Sequence, residues 1–570
     1  MKTWILIVVL LFVVVMAIAV GTGFYYLTSQ QVEVRKNTIV EVSVGGSAYE
    51  LPTQSPFNLM WRPRTLSLWE LGELFRYAAG DERVSGVYLE IHPLVWSWGQ
   101  LEELRGHIRH FQTSGKPVHA LVAVDMMTDA EMYLASVANS VTLNPDAGLL
   151  VNGLMAEVTF FKRTLEKLGI QPQFIQFKEY KSPERFSREK MTPAIRGMLK
   201  SVLQDLQQRF IQTVARDRGI NAARLRNLMN QGMAQGDVAV QENLVDRLGY
   251  KDDLEKELEV GEEGDEEYRS IAATPYLASV RDKFRVKSRH KVALLGGIGG
   301  ITSGRSEPLA DVIGGITVSS HLRKIRKDDD IKGVIFRVDS PGGSAVGSNM
   351  IWREVRLLEE TGKPVVVSMS GVAGSGGYYI SMGAHHIISQ PSTITGSIGV
   401  IFGKFDVTGL YDWLGMDVER VKTSPNADIL SPFASLTEAQ KEQVESWMER
   451  IYTRFVERAA EGRNQESEEL EKKARGRIYT GSQALALGLV DELGGLRSAV
   501  EHMKAILDIG EEEQIELVLY PKPKALWETL LSEGLWNLGA PPFPLRWLQG
   551  EMRSLATPAP WLLIPEIRIH

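Results

Sequence analysis

The chain has 570 residues, a length that predicts two or three folded units rather than one core. Its formal net charge is −7, and acidic and basic residues are mixed along the chain, so the large basic surface of a nucleic-acid-binding protein is not expected. The sequence contains no cysteine, which excludes disulfide bonds, thiolate metal sites and a cysteine nucleophile. We therefore expect no nucleic-acid partner, and a nucleophile of another residue type.

The N-terminus is strongly apolar. Residues 4–27 form an uncharged run of about the length that spans a bilayer as a helix, which predicts a transmembrane anchor over residues 1–28. An alternative interpretation is a cleaved secretory signal, because Ala17-Ile18-Ala19 resembles a small-residue cleavage site. Basic residues on the two sides of the run are nearly balanced and leave its orientation open. If the run acts as an export signal, both interpretations place the rest of the chain outside the cytoplasm.

The chain contains an internal repeat. The segment VSGVYLEI from Val84 matches IKGVIFRV from Ile331, and a Gly-Lys-Pro turn recurs around Lys116 and Lys363. The first copy ends with LVDRLG and the second with LVDELG. Matches at three separate places indicate that a whole unit was duplicated, so we predict two related domains.

Each copy alternates apolar runs of strand type with helical stretches. Such strands pair in parallel through right-handed crossovers, which predicts a layered α/β fold in each copy. The acidic sequence GEEGDEE from Gly261 favours a solvated link between them. The tail carries four tryptophans (Trp527, Trp536, Trp547 and Trp561) that could contact a membrane, a partner or the tail's own domain. The predicted boundaries are 38–260 for the first domain, 261–288 for the linker, 289–510 for the second domain and 511–570 for the C-terminal tail.

The second copy carries DSPGG at residues 339–343, directly after a predicted strand. The paired glycines Gly342 and Gly343 permit backbone N–H groups to approach a ligand closely, as in an oxyanion hole. The same residues also form ordinary turns, so this motif alone leaves both interpretations open.

Further along, GVAGSGGYYIS places Ser375 among small residues before a predicted helix. Its hydroxyl could attack an acyl carbon, with the N–H of Gly376 near the helix start stabilising the oxyanion. A plain helix N-cap is the alternative interpretation, and Ser340 and Ser344 are further candidate nucleophiles. The pattern is not the hydrolase nucleophile elbow, because Ala373 stands where that motif requires glycine.

A serine nucleophile needs a base. The ten histidines are scattered or occur in pairs such as His385-His386 with no evident partner acid, and no HExxH motif is present. A lysine can replace histidine if burial lowers its pKa from about 10.4 toward neutrality. The repeat singles out Lys181, in EYKSPERF of the first copy, because the aligned stretch near Ala427 has no lysine at that point.

The first copy lacks the other groups. In the alignment of the two copies, Val95 and Trp96 stand opposite the two glycines of DSPGG, and Asp129 stands opposite Ser375. We therefore predict that the first domain supplies the lysine base and the second the serine nucleophile.

Together these motifs make the sequence resemble the signal peptide peptidase A (protease IV) family in its long, duplicated form. The resemblance rests on YKS at 180–182, DSPGG at 339–343, SGGY at 375–378, PSTITGSIGV at 391–400, the N-terminal anchor and the tandem domains. It implies two tandem domains of the Clp protease and crotonase fold group, with Ser375 as nucleophile and Lys181 as general base and later acid. It also implies an oxyanion hole from the N–H groups of Gly376 and Gly343, with Gly342 beside them.

The resemblance further implies an endopeptidase with no metal or other cofactor, acting on cleaved signal peptides and other hydrophobic peptides. It implies a homo-oligomer, a tetramer in this family, and a single-pass protein of the bacterial inner membrane with its catalytic domains on the periplasmic side. Two hypotheses on positioning stay open. Ser182 could orient Lys181 or be a surface serine, and Thr395 and Ser397 could contact Ser375 or the substrate or belong to a polar turn.

Other function classes give weaker explanations. An acyl-CoA enzyme of the crotonase group would use the same paired glycines for a thioester enolate, but export and the lack of a clear basic nucleotide site argue against it. A non-catalytic membrane scaffold would keep the fold, but Ser375 and Lys181 are both present. The sequence GGIGGITSG from Gly296 lacks the third glycine of a dinucleotide-binding motif at its proper place.

Overall fold

The computed structural model describes residues 33–52, 65–259, 269–284, 286–306, 312–510, 513–521, 560–563 and 568–569. The predicted anchor, the acidic sequence GEEGDEE and three of the tail tryptophans lie outside these residues. Among the helices that are described, none combines the length and the apolar character required to cross a membrane.

The first copy is organised around a parallel sheet whose strand order is β11-β1-β2-β3-β5-β10. Its strands are β1 (Thr38–Gly46), β2 (Val84–Leu94), β3 (Val118–Val122), β4 (Met126–Thr128), β5 (Ser140–Leu143), β6 (Gly148–Leu150), β7 (Ala156–Glu157), β8 (Gln171–Gln176), β9 (Ala234–Gln235), β10 (Arg247–Leu248) and β11 (Ser270–Ala272). Its helices are α1 (Leu68–Gly80), α2 (Trp98–Gln112), α3 (Asp129–Ala135), α4 (Lys162–Lys167), α5 (Glu184–Ser187), α6 (Pro193–Arg218), α7 (Ala222–Gln231), α8 (Gly236–Gln241), α9 (Lys251–Glu259) and α10 (Ala273–Phe284).

The second copy repeats this arrangement. Its strands are β12 (Lys291–Ile298), β13 (Gly300–Thr302), β14 (Val312–Gly314), β15 (Ile331–Ser340), β16 (Gly342–Ser344), β17 (Val365–Gly374), β18 (His386–Ser389), β19 (Ile394–Gly396), β20 (Ile401–Asp406), β21 (Ile478–Thr480), β22 (Glu492–Leu493), β23 (Glu516–Tyr520), β24 (Pro560–Leu563) and β25 (Arg568–Ile569). Its helices are α11 (Gly315–Lys327), α12 (Ala345–Glu360), α13 (Gly376–Ser381), α14 (Thr408–Leu414), α15 (Glu438–Gly462), α16 (Ser467–Lys473), α17 (Gly481–Ala486) and α18 (Leu496–Ile506). The parallel strands run in the order β23-β12-β15-β17-β18-β22, strand for strand the order of the first copy.

The structured part of each copy extends beyond the predicted boundary. The linker predicted at 261–288 contains β11 and α10, and α10 packs Tyr276, Leu277 and Val280 into the core of the first copy. The predicted tail likewise begins with β23, which pairs with β12. Each parallel sheet therefore has a late strand, β11 or β23, at its edge beside its own first strand. These short strands were missed because an edge strand has a weak sequence pattern.

The two copies are not separate bodies, because an arm of the first lies on the second. Strand β8 pairs antiparallel with β20, with Gln176 opposite Ile401. Helix α6 buries Met198 and Val202 against Ile478 of β21. The chain between β8 and α6 is thereby held on the second copy, and this segment contains Lys181.

A buried ion cluster also joins the copies. The Arg337 guanidinium, on β15, lies 2.9 Å from a Glu50 carboxylate oxygen and 3.2 Å from one of Glu103, both residues of the first copy. All three side chains are almost fully buried. Ser370 on β17 also lies within hydrogen-bond distance of Glu50, at 2.5 Å. Because isolated buried charges are costly, this cluster favours the arrangement in which the copies stay together.

Candidate active site

Ser375 lies at a sharp turn between β17 and α13. Its backbone has φ 56° and ψ −112°, a conformation that residues with a side chain rarely adopt. The turn is held by the Ser375 N–H, which donates to the Gly396 carbonyl at 2.8 Å, and by the Tyr379 N–H, which donates to the Ser375 carbonyl at 2.8 Å. Although the nucleophile-elbow sequence is absent, the chain forms a strained strand-to-helix turn that carries a buried serine.

Lys181 follows β8 and is wedged between two backbone segments of the second copy. A Cβ atom on Gly476, which has φ 85°, would collide with the backbone nitrogen of Lys181. A Cβ atom on Gly399 would lie 3.2 Å from the Lys181 Cβ. The Tyr180 N–H donates to the Arg475 carbonyl at 3.1 Å. These glycines allow the arm of the first copy to enter the second copy closely enough to bury the lysine.

The structure brings Lys181 and Ser375 together. The Lys181 Nζ lies 2.6 Å from the Ser375 Oγ, 2.7 Å from the Ser397 Oγ and 3.1 Å from the Ser397 carbonyl oxygen. Burial holds the pKa of Lys181 well below its usual value, and among the described residues no carboxylate pairs with its amine to counter that effect. A neutral amine in hydrogen-bond contact with a serine hydroxyl can accept the hydroxyl proton.

The glycines of the two predicted motifs are also in contact. A Cβ atom on Gly376 would lie 3.0 Å from the backbone nitrogen of Gly343 and 3.0 Å from the Cα of Gly342. Gly342 has φ 103° and Gly343 φ 151°, and a Cβ on Gly343 would collide with the Ile301 carbonyl. Both the left-handed backbone and this close packing require glycine here. Two backbone segments with N–H groups thus meet beside Ser375.

An extended segment runs along the glycine strand. The backbone of β24 pairs antiparallel with β16, placing Leu563 opposite Gly342 and Leu562 opposite Gly343. On its other side β24 pairs with β20, where Trp561, one of the four tail tryptophans, is opposite Ile401. This edge of β16 therefore accepts an extended chain by backbone pairing, the way in which many peptide-binding proteins hold a peptide.

The other candidate serines and Thr395 have local partners. Ser340 Oγ donates to the Gly299 carbonyl at 2.7 Å and accepts from the Gly342 N–H at 3.2 Å. Ser344 caps α12 by accepting from the Gly347 N–H at 3.2 Å. Thr395 Oγ1 donates to the Ala373 carbonyl at 2.7 Å, two residues before Ser375. These side chains shape the turns around the site, and their contacts do not include the Lys181 amine.

Ser182 does not take the place expected of an orienting residue. Its hydroxyl lies 3.2 Å from the Gln176 amide oxygen, whereas the lysine amine contacts Ser397. Ser397 has φ 52°, and its N–H donates to the Arg477 carbonyl at 2.7 Å. Ser182 is adjacent to the lysine in sequence but not in contact with its amine. Ser397 could be singled out only once β19 and the arm of the first copy were placed together.

Comparison with known proteins identifies the family. Residues 110–264 and 358–509 each match the family model described as peptidase family S49. The chain is 31% identical over 507 residues to the chloroplastic serine protease SPPA of Arabidopsis thaliana, covering 88% of this chain and 73% of the relative. It is 33% identical over 452 residues to Protease 4 of Salmonella typhi, covering 76% of this chain and 71% of the relative. A third relative, 36% identical over 185 residues, is named putative signal peptide peptidase SppA of Enterococcus faecium; the match covers 32% of this chain and 54% of the relative.

Solved structures give weaker likenesses. A variant of the membrane-bound stomatin-specific protease 1510-N with a bound substrate peptide aligns with a TM-score of 0.27 at 15% identity, covering 43% of this chain and 97% of that chain. A variant of ClpP1 from Listeria monocytogenes aligns with a TM-score of 0.24 at 17% identity, covering 37% and 94%. These TM-scores are too low to support an argument, so the family assignment rests on the sequence matches. Because the family model matches twice and the relatives cover most of the chain, this protein belongs to peptidase family S49 and is a serine peptidase with a duplicated α/β unit.

Proposed function

We propose that this chain is an endopeptidase in which Ser375 is the nucleophile and Lys181 the general base. The observation that carries the proposal is the 2.6 Å separation of the Lys181 Nζ and the Ser375 Oγ in a buried site. Burial favours the neutral amine, and only the neutral amine can take a proton. A lysine held in this way can do what histidine does in other serine peptidases.

The reaction follows from these contacts. Lys181 takes the proton of Ser375 as Oγ bonds to the carbonyl carbon of the substrate, and the carbonyl electron pair moves to the oxygen. The N–H groups of Gly376 and Gly343 stabilise that oxyanion, with Gly342 supporting the turn. The Lys181 ammonium then donates its proton to the amine nitrogen as the C–N bond breaks. Lys181 next takes a proton from water as the water oxygen bonds to the acyl carbon. It returns that proton to the Ser375 Oγ as the ester C–O bond breaks and the carboxylic acid product leaves.

Ser397 acts as a positioning residue for the base. A neutral lysine amine has two hydrogens and one lone pair. The Oγ and the carbonyl oxygen of Ser397, at 2.7 Å and 3.1 Å, accept the two hydrogens, which leaves the lone pair for the Ser375 hydroxyl. Ser397 therefore directs the basic electron pair of Lys181 at the nucleophile.

The substrate binds as an extended strand along β16. The pairing of β24 with this strand supports that mode, because an extended chain already fits there by backbone contacts. A relative is named signal peptide peptidase, which supports cleaved signal peptides and other hydrophobic peptides as substrates. In this mechanism β24 leaves β16 before a substrate binds.

We further propose that residues 4–27 anchor the chain in the bacterial inner membrane, with both units on the periplasmic side, and that the chains form a homo-oligomer, a tetramer by family resemblance. The apolar composition of residues 4–27 supports the anchor. Exposed apolar side chains in α14 and the following loop support the oligomer, including Trp413 at 73% and Val421 at 97% exposure. Val421→Glu is expected to shift the sedimentation coefficient toward that of the single chain, and an unchanged value would contradict this interface.

Acyl-enzyme trapping tests the catalytic proposal. The full chain in detergent is mixed with a hydrophobic peptide p-nitrophenyl ester, quenched in acid and digested for mass spectrometry. We expect a burst of nitrophenol and an acyl group on Ser375, and neither in Lys181→Met with an unchanged circular dichroism spectrum. An acyl group on Ser340 or Ser344, or a full burst in Lys181→Met, would overturn the assignment of these roles.

A further inference from the structure

A second cluster of chemistry-bearing side chains lies on the second copy, outside the candidate active site. It consists of His386 at the start of β18, Glu492 at the start of β22 and His502 on α18. The His386 Nε2 lies 3.2 Å and the His502 Nδ1 3.6 Å from the same Glu492 oxygen, Oε2. The two imidazole rings stack with their centroids 3.5 Å apart and their planes 16° from parallel. Two histidines from distant parts of the chain thus converge on one carboxylate.

This spacing suits a divalent transition metal. Zinc binds imidazole nitrogen and carboxylate oxygen at 2.0–2.2 Å in a tetrahedron, so its ligand atoms are about 3.3 Å apart. The two histidine-to-glutamate separations are close to that length, and one ligand atom from each residue lies within 4.8 Å of the others. We propose that His386, Glu492 and His502 bind a divalent transition-metal ion such as Zn²⁺, with water as the fourth ligand.

The surroundings favour such an ion over Mg²⁺ or Ca²⁺. Two of the three ligands are imidazoles, which suit zinc, copper and nickel, whereas magnesium and calcium prefer oxygen. Asp491 Oδ2 lies 3.9 Å from the His386 Nδ1, beyond hydrogen-bond distance, and its negative charge adds to the attraction of this site for a cation. His502 is 28% exposed, so its ring can turn out of the stack and meet the ion in the ring plane.

The ion would act as a structural clamp on α18. At its N-terminus this helix contacts the first copy: the Leu496 N–H donates to a Glu103 carboxylate oxygen at 2.8 Å, and Arg497 Nη1 lies 2.5 Å from His110 Nδ1. Glu103 is also a partner of Arg337 in the buried cluster that joins the copies. A metal bound by His502 would fix α18 to the sheet edge formed by β18 and β22. The site would therefore stabilise the contact between the two copies without taking part in peptide hydrolysis.

Metal titration of the full chain tests this proposal. Protein stripped with EDTA is titrated with Co²⁺, whose visible absorption reports tetrahedral coordination, and with Zn²⁺ by calorimetry. We expect one ion per chain and a higher Tm with Zn²⁺, because an ion that binds the folded state stabilises it. His502→Ala and Glu492→Gln should each lose the Co²⁺ spectrum and bind Zn²⁺ at least about tenfold more weakly, since each removes one of three protein ligands. The matched control is His385→Ala, because His385 neighbours His386 but lies 3.6 Å from Glu359 instead, and it should bind like the wild type.

Two results would overturn the proposal. One is the absence of one-to-one binding of Co²⁺ and Zn²⁺ by the wild type. The other is a wild-type spectrum and affinity in His502→Ala, which would place the ion elsewhere on the chain. Because none of these residues contacts Ser375 or Lys181, cleavage of the peptide ester by the variants reports their folding, and circular dichroism serves the same purpose if the catalytic proposal fails.

Discussion

The start of one short helix differs sharply between the two copies. In the second copy Ser375 precedes α13 with φ 56°, buried and in contact with Lys181. In the first copy Thr128 precedes α3 with φ −91°, and the helix begins with Asp129 and a capping box formed with Glu131. Both helices follow equivalent parallel strands, so duplication kept the scaffold. Only the second copy has the strained turn, and the first copy has an ordinary helix cap there.

The segment that leads into the preceding helix, α12 in the second copy and α2 in the first, differs as well. The second copy continues from β15 into the glycine strand β16, whereas the first copy leaves β2 through Val95, which is 73% exposed. Gly99 at the start of α2 packs on the second copy, where a Cβ atom would lie 2.7 Å from the Ser370 carbonyl oxygen. The region of the first copy that corresponds to the edge of β16 is therefore a contact surface between the copies. The difference is consistent with our proposal that the first copy supports the second copy and supplies its base.

Removing the side-chain hydroxyl that precedes the short helix, in each copy separately, should give the largest difference in activity between two variants. Ser375→Ala should lower kcat by a factor on the order of 10⁴ to 10⁶, as loss of a nucleophile does in other serine peptidases. Thr128→Ala should leave kcat unchanged and cost about 1 kcal/mol of stability, because it removes the hydrogen bond that the Thr128 hydroxyl donates to the Glu131 carboxylate. Steady-state cleavage of a peptide ester measures both. Equal losses of kcat in the two variants would contradict the different roles of the two helix starts.

The pH dependence of activity and of stability tests whether Lys181 of the first copy is the base for the serine of the second copy. Because burial lowers the pKa of Lys181, kcat/KM should rise with pH through a midpoint well below the usual lysine value. Lys181→Arg should be inactive at every pH, because guanidinium stays protonated. At pH values between the lowered pKa of the folded chain and the ordinary pKa of the unfolded chain, Lys181 is neutral when folded and protonated when unfolded. The free energy of unfolding therefore rises with pH in that range. Denaturation of Lys181→Met across the same pH range should lack this rise, and an equal rise would contradict a neutral Lys181.

Arg337→Met tests how the copies are held together. The variant leaves Glu50 and Glu103 buried without their cation, and the free energy of unfolding should fall by about 3–5 kcal/mol. The control is Arg353→Met, whose ion pair with Glu360 is exposed and should contribute at most about 1 kcal/mol. Urea denaturation followed by circular dichroism measures both. A small effect of Arg337→Met would mean that the copies are held together by other contacts.

Ser397 and Ser182 form a matched pair on either side of Lys181. Ser397→Ala removes one hydrogen-bond partner of the amine and should lower kcat about 10- to 30-fold, corresponding to roughly 1.4–2 kcal/mol. The apparent pKa in the kcat/KM profile should shift, which a purely structural role would not cause. Ser182→Ala should be within about twofold of the wild type, because its hydroxyl contacts Gln176. The reverse ranking would restore Ser182 as the orienting residue.

Deletion of residues 560–570 should give the smallest effect. Without β24 the glycine edge of the second copy is open, so KM for a peptide should fall by about 2- to 10-fold while kcat stays the same. An unchanged KM would show that the segment does not compete with substrate. A rise in KM would instead make β24 part of the binding surface.

The repeat made the architecture predictable. Copies that match at Val84 and Ile331 place equivalent strands in the same order, and both sheets have that order. The end strands β11 and β23 were missed, because each is a short edge strand whose pairing is set by the neighbouring first strand. The linker and the tail were therefore predicted to begin too early.

For the candidate site, residue types were predictable but contacts were not. The absence of cysteine, the lack of an evident partner acid for the histidines, and one unmatched lysine pointed to Ser375 and Lys181. His386 nevertheless has an acid partner in Glu492, which the sequence hides because 106 residues separate the two. Ser397 was likewise ambiguous, because a serine in a polar turn has the same sequence pattern whether or not a buried amine lies beside it.

The sequence by itself determined the duplication, the alternation of strands and helices, the glycine positions, and which copy carries a serine and which a lysine. Periodicity and residue type express these properties locally, so they can be read without a structure. The tertiary structure decided that the arm from β8 to α6 crosses to the second copy, that Lys181 is buried there, and that Ser397 rather than Ser182 meets its amine. These outcomes depend on packing between residues hundreds of positions apart, and burial, which sets the pKa of Lys181, exists only once that packing is complete.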